Sequence, residues 1–129
     1  MSAQWVHTNG PDGGTVLSLA VSGTNLFAGT EGGVGISTNN GTSWTAVSAG
    51  LTNSSVFVFA ISGTNLFAGT YGGVFLSTNN GASWTAAGFA DTTVEAFAVS
   101  GINLFAGTSP GSTQYREEVE ILSFKGQKD

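Results

Sequence analysis

Ser22 to Ala46 reads SGTNLFAGTEGGVGISTNNGTSWTA, and Ser62 to Ala86 reads SGTNLFAGTYGGVFLSTNNGASWTA, 40 positions later. Only Glu31/Tyr71, Gly35/Phe75, Ile36/Leu76 and Thr42/Ala82 differ between them. A third copy opens at Ser100 as SGINLFAGT, 38 positions after the second, and the pattern stops at Thr108. A fixed period of this length marks a repeat architecture, in which each unit is one small module whose apolar face is buried by the next.

Each unit divides into four short strand candidates. In the second copy these are Val56 to Ser62, Asn65 to Thr70, Gly73 to Thr78 and Ser83 to Ala87, broken by Gly63-Thr64, Tyr71-Gly72 and Asn79-Asn80-Gly81. Short strands at intervals of roughly 8–12 residues belong to sandwiches, barrels or propellers. Four of them in a period of about 40 is the size of a propeller blade.

The side-chain pattern agrees. Leu17, Leu19 and Val21 fall where Phe57, Phe59 and Ile61 fall, and Ala20, Ala60 and Ala98 share one small position on the opposite face. A blade needs both faces apolar because sheets stack on each side of it. The expected fold is therefore all-β, with β-propeller blades of four antiparallel strands: two full blades and a partial third. The repeats run at about residues 16–55, 56–94 and from 95 onward, within a domain of residues 1–108. The divergent segment 109–129 contains an alternating stretch, Arg116 to Phe124, that reads as one strand replacing the third copy's lost hairpin arm, with a frayed end at Lys125 to Asp129.

Ser37-Thr38-Asn39-Asn40-Gly41-Thr42-Ser43-Trp44 and Ser77-Thr78-Asn79-Asn80-Gly81-Ala82-Ser83-Trp84 resemble the Asp-box, S-x-D-x-G-x-T-W, of bacterial neuraminidase-type repeats. The surrounding unit is similar to repeats of the photosystem II stability and assembly factor-like and sortilin-like propellers. Asn replaces Asp at 39 and 79, and Ser replaces Thr at 43 and 83. An Asn oxygen still closes an Asx-turn, Gly41 and Gly81 accept positive φ, and Trp44 and Trp84 cover the turn. The resemblance implies a structural hairpin away from the ligand face, not a metal or catalytic site.

Composition narrows the function. The chain has 129 residues, Lys and Arg total 3 and the formal charge is −5, with no base before Arg116. A basic patch for nucleic acid or anionic lipid is excluded, and no apolar run approaches the ~20 residues that span a bilayer. Without Cys there is no disulfide, thiolate metal site or Cys nucleophile. Met1 to Trp5 lacks the basic and apolar regions of a signal peptide, so the chain reads as soluble and cytoplasmic, or as a fragment of a secreted protein.

The sialidase activity that the resemblance brings up requires several guanidiniums around a substrate carboxylate, and Arg116 is the only Arg. Asp12, Glu31, Asp91 and Glu95 occupy no matching repeat positions, and His7 is the single imidazole, so no paired carboxylates, metal cluster or triad is expected. Gly32-Gly33 and Gly72-Gly73 lie between strands and read as tight turns, not phosphate loops. Phe27, Phe67 and Phe105 read as core between blades.

The expected function is thus a non-enzymatic propeller scaffold, without cofactor, that binds a protein or glycan through loops at one end. On the family's topology these are the segments at Leu51 to Ser55 and Phe89 to Thr93 and the turns at Glu31 and Tyr71, which make Glu31, Tyr71, Asn53 and Asp91 the candidate ligand-binding residues. The alternatives are a partial blade set of a sialidase-like glycoside hydrolase and a purely structural repeat array.

Gln4-Trp5-Val6-His7 aligns with Ser43-Trp44-Thr45-Ala46 and reads as an outermost strand lacking the rest of its blade. Closed propellers have typically about four to eight blades. Either several copies assemble into one ring or the chain is a fragment of a longer array; the expectation is a homo-oligomer, most simply a dimer forming a six-bladed ring.

Overall fold

A computed structural model describes residues 3–52, 55–101, 103–109 and 118–123. It contains three antiparallel sheets and, among the described residues, no helix. The first blade is β1 (Val16–Ser22), β2 (Asn25–Thr30), β3 (Gly33–Ser37) and β4 (Thr45–Ala46), in that order across the sheet. The second is β5 (Val56–Ser62), β6 (Asn65–Thr70), β7 (Gly73–Ser77) and β8 (Thr85–Gly88), again in order. The third holds β9 (Thr93–Ser100), β10 (Asn103–Ser109) and β11 (Glu118–Ser123). β11 pairs with β10 where β3 and β7 pair with β2 and β6, matching the strand expected in the tail. The expectation for Lys125 to Asp129 falls outside the described residues.

The blades stack as a propeller does. β5, the first strand of the middle blade, lies beside both β1 and β9, so the three first strands neighbour one another along the inner edge of the stack. One core fills the first joint, with Phe27, Val34, Val56, Leu66, Ala68, Phe75 and Trp84 buried and Phe59 and Ile61 packed against them. The other fills the second joint with Ala60, Phe67, Val74, Val94, Leu104 and Ala106. Both faces of the inner strands of the middle blade, β5 to β7, are therefore used, which is why those strands are apolar on both sides. Phe27 and Phe59 meet at 6.4 Å with planes tilted by 56°, a contact worth ~0.5–1.5 kcal/mol beyond the area it buries. Phe105, expected as core, is only half-buried, since among the described residues no further sheet covers the far side of the third.

Three expectations need correction. Residues 4–7 carry no strand pairing, and Trp5 is 102% exposed. A strand is held by a neighbouring strand, and none of the described strands lies alongside this segment. The fourth strands are also shorter than expected, starting at Thr45 and Thr85, because Ser43-Trp44 and Ser83-Trp84 are engaged in the preceding turns. Finally, Leu17 and Phe57 do not continue the alternation of Leu19/Val21 and Phe59/Ile61. The register skips a residue between Val16 and Ser18, between Val56 and Val58, and between Val94 and Ala96. An extra residue at the start of each first strand shifts the inward position from Phe57 to Val56, which is fully buried.

The Asn-Gly turns between third and fourth strands are closed by side chains. Asn39 Oδ1 accepts from Ser43 N and Ser37 Oγ, each at 2.9 Å, and Asn39 Nδ2 donates to Ser43 Oγ at 2.8 Å. Ser37 Oγ accepts from Gly41 N at 2.8 Å. Asn79, Ser77, Ser83 and Gly81 repeat these contacts at the same distances. Gly41 and Gly81 hold φ of 87° and 85°, which is why glycine is required there.

Candidate functional site

Antiparallel blades have two ends. At one, the Asn turns meet the turns at Gly23 and Gly63. At the other, linkers deliver the chain into each first strand beside the turn from second to third strand. This second end, the linker end, carries the sequence-expected residues Glu31, Tyr71 and Asp91, whereas Asn53 lies outside the described residues.

The turns here are closed internally. Thr30 Oγ1 donates to Gly33 O and accepts from Gly32 N, both at 3.0 Å, and Thr70 does the same with Gly73 and Gly72. The Gly32 and Gly72 amides are thereby taken, in keeping with tight turns. Each turn therefore holds its first residue, exposed Glu31 or Tyr71, on a fixed base.

The bulged residues Leu17, Phe57 and Glu95 stand next to those turns, and what they meet differs from blade to blade. In the middle blade Phe57 packs edge-on against Tyr71, with centroids 4.5 Å apart and planes at 86°, while Tyr71 stays 56% exposed. In the third blade Ser109 Oγ donates to Glu95 Oε1 at 2.5 Å. In the first, Glu31 turns back to its own blade, its carboxylate accepting from Thr15 N at 3.3 Å and its backbone N–H donating to Thr15 O at 3.1 Å. Ser55 Oγ reaches the Glu31 carbonyl at 3.5 Å, linking the first turn to the start of the middle blade. Asp91, in the linker before β9, is exposed and has a φ of 60°.

Phe57 and Glu95 are missed by a reading of alternation alone. The signal was the Leu17/Phe57/Glu95 column itself: a position that tolerates Glu does not face the inside of a blade joint. Asp12, Glu31, Asp91 and Glu95, all the acids between residues 3 and 109, gather at the linker end, and no Lys or Arg occurs in that range. The Asn-turn end carries no charged side chain among Gly23-Thr24, Gly63-Thr64 and the two Asn turns.

A hollow of about 70 Å³ lies on the outer flank of the first blade, lined by Pro11, Asp12, Gly33 and Trp44 among others. An open groove of about 290 Å³ lies near the Asn turn, between His7 to Asn9 and Asn40 to Thr42. Among the described residues no group of three His, Asp or Glu is placed to hold a metal ion, and no helix is long and apolar enough to cross a membrane.

The model of the DUF6242 beta propeller domain matches residues 2–119. The chain belongs to that family. No curated protein matches the chain. Among solved structures, an ancestral GH74 enzyme is 26% identical with a TM-score of 0.67, over 75% of this chain and 14% of that one. The computationally designed Ika4 protein is 15% identical with a TM-score of 0.68, over 98% of this chain and 77% of that one. The designed Ika8 protein is 14% identical with a TM-score of 0.63, over 84% and 33%. This DUF6242-type chain thus spans 14% of the length of the GH74 enzyme it resembles, and its likeness to the two designed proteins is one of fold.

Proposed function

We propose that this chain is a non-enzymatic propeller module that binds a neutral or cationic ligand, a glycan or a protein segment, on the linker end of its blades. The observation that carries the reading is the composition of that end. Half-buried Phe57 and exposed Tyr71 form an edge-on pair on a bulge and a rigid turn, at the end that also carries Asp12, Glu31, Asp91 and Glu95, with no Lys or Arg between residues 3 and 109. Aromatic edges and faces engage the C–H surfaces of sugars and apolar side chains, and carboxylates engage hydroxyls or cations. The net negative field of this end repels anions. Bulges are over-represented where a sheet re-aims a side chain toward a ligand. In this reading the turns at Ser37 to Trp44 and Ser77 to Trp84 are Asp-box relatives with a purely structural role, as in the photosystem II assembly factor-like and sortilin-like repeats they resemble.

The test is a binding array of neutral, amine-bearing and sulfated oligosaccharides together with basic and acidic peptides, probed with the wild-type chain and Tyr71→Ala. Hits among neutral or basic members that fall at least about tenfold with Tyr71→Ala support the reading. A set dominated by sulfated members, or hits indifferent to Tyr71, refutes it.

The likeness to an ancestral GH74 enzyme favours a second reading, in which the blades are part of a larger catalytic propeller whose reacting groups lie on other blades. The chain's one Arg leaves no carboxylate clamp for a sialoside. Turnover of fluorogenic glycosides above a heat-killed control by this chain would favour that second reading.

A further inference from the structure

The two ends of the blade stack carry the unmatched halves of a joint that the chain makes twice within itself. At the first joint the fully buried Val56 of β5 lies over Gly29 of β2, so close that a Cβ on Gly29 would stand 2.8 Å from Val56 Cγ1. At the second, the fully buried Val94 of β9 lies over Gly69 of β6, and a Cβ there would again stand 2.8 Å from the valine Cγ1. One valine knob fills one glycine hole in each joint.

The next members of the two series are Val16 on the first blade and Gly107 on the third. Val16 is 43% exposed, and beside it Leu19 and Val21 are 63% and 67% exposed, although their equivalents Phe59 and Ile61 pack into the first core. Gly107 is an open hole among the described residues: a Cβ there would meet only Ala96 of the adjacent strand, at an ordinary 3.4 Å. Half-buried Phe105 lies on the same strand, at the repeat position of Phe27 and Phe67. Knob and hole thus occur on one chain, on opposite sides of the stack.

The outer strands repeat the mismatch. The third sheet stops at β11 and has no fourth strand among the described residues. The stretch from Thr8 to Pro11 lies against Gly41, Trp44 and Gly35 of the first blade much as Val47 to Gly50 lies against Gly81 and Trp84 of the second. Gln4 to His7 therefore emerges where the last strand of a preceding blade belongs, with Trp5 and Val6 almost wholly in solvent. Transferring the β7–β8 register onto β11 brings Val6 opposite Ile121 and His7 opposite Glu120.

We propose that two copies of this chain close head to tail into a six-bladed ring, Val16 of each copy seating on Gly107 of the other and Gln4 to His7 of each adding the missing strand to β11 of the other. A head-to-tail contact yields a finite ring when its rotation closes. Within the usual range of about four to eight blades, six is the only multiple of three. The interface continues the two joints already present, using the same positions of the same repeat.

Light scattering on the 129-residue chain at micromolar concentration tests this, with an expected mass of two chains. Gly107→Val fills the hole, its Cβ in ordinary contact with Ala96, and it is expected to raise the dimer dissociation constant on the order of a hundredfold while the β-type circular dichroism persists. Adding Val16→Gly in the same chain restores space and recovers dimer. Trp5→Ser, at a side chain in full solvent, gives a second route to monomer that does not touch the core. A wild-type chain that is a folded monomer, as it would be if further blades of a longer polypeptide or another protein were the natural cover, overturns the proposal. So does a mass other than two chains, or a dimer unaffected by both Gly107→Val and Trp5→Ser.

Discussion

Trp84 donates its indole N–H to the carbonyl of Val47 at 2.8 Å, tying the outer part of the middle blade to the linker that leaves the blade before it. The Trp84 backbone N–H donates to Ala49 O at 2.9 Å, so the linker is held at two points. Trp44 occupies the same place in the first blade, yet its buried indole N–H has no partner among the described residues. The equivalent of Val47 there is Thr8, whose side chain lies against Gly41 as that of Val47 lies against Gly81.

From this asymmetry, Trp84→Phe is expected to cost more stability than Trp44→Phe. A lost hydrogen bond that strands a carbonyl costs about 1–3 kcal/mol, whereas removing an indole N–H that is already unpartnered relieves a penalty. Urea melts of the two variants, compared at equal protein concentration, read the difference directly. Equal midpoints would show that the Val47 contact contributes nothing.

The Asn turns give a second expectation. Asn79 Oδ1 accepts from Ser83 N and Ser77 Oγ while Nδ2 donates to Ser83 Oγ. Asn79→Ala removes all three and is expected to destabilise by about 1–3 kcal/mol. Asn79→Asp keeps both acceptor bonds, and the Ser83 hydroxyl turns to donate to the second carboxylate oxygen, so stability at neutral pH stays within about 0.5 kcal/mol or rises. Thermal unfolding of the two variants separates a hydrogen-bonding role from a packing one.

Much of this architecture is legible in the sequence, for identifiable reasons. Val56–Ser62 and Asn65–Thr70 are found where alternation and flanking Gly-Thr turns put them, since every position there faces a joint or a neighbouring strand. The bulge at Phe57 is hidden, because one inserted residue reverses which side chain faces inward without changing composition, and Val56 is as apolar as the Phe it replaces. The fourth strand begins late because Asn79 holds Ser83 in the turn, a contact that strand propensity does not register. Of the candidate site, Tyr71 and Glu31 were visible as the differing turn residues of near-identical copies. Their partners Phe57 and Thr15 became visible only with the register.

Space, more than backbone angle, decides which glycines matter. Gly29 has no unusual φ, yet an added Cβ would press on Val56 Cγ1 at 2.8 Å and on Val56 O at 3.0 Å. Gly23 has a φ of 62° with nothing within 4 Å. Gly29→Ala is therefore expected to cost about 1–3 kcal/mol by overpacking a joint. Gly23→Asn is expected to cost less than about 1 kcal/mol, because Asn tolerates that conformation and the site is open. Denaturant midpoints in the reverse order would mean that the blade joint yields more readily than a sheet-on-sheet contact should.

The charge asymmetry leads to an expectation about the ligand's sign that does not require its identity. Asp12, Glu31, Asp91 and Glu95 crowd one end of the blades, and within residues 3–109 nothing positive offsets them. Exposed charges such as these act through a field that decays over a Debye length, about 8 Å at physiological salt. A cationic ligand should therefore associate faster at low salt and slow as salt rises, while a neutral glycan held by Phe57 and Tyr71 should be nearly indifferent. Glu95→Gln removes one charge that is already anchored to Ser109, leaving Glu31 and the aromatic pair in place. For a cationic peptide this variant is expected to lower the association rate severalfold and flatten its salt dependence, with little change in dissociation. Association that speeds up with salt, or with the loss of Glu95, would mean that the ligand is an anion, against the proposed reading.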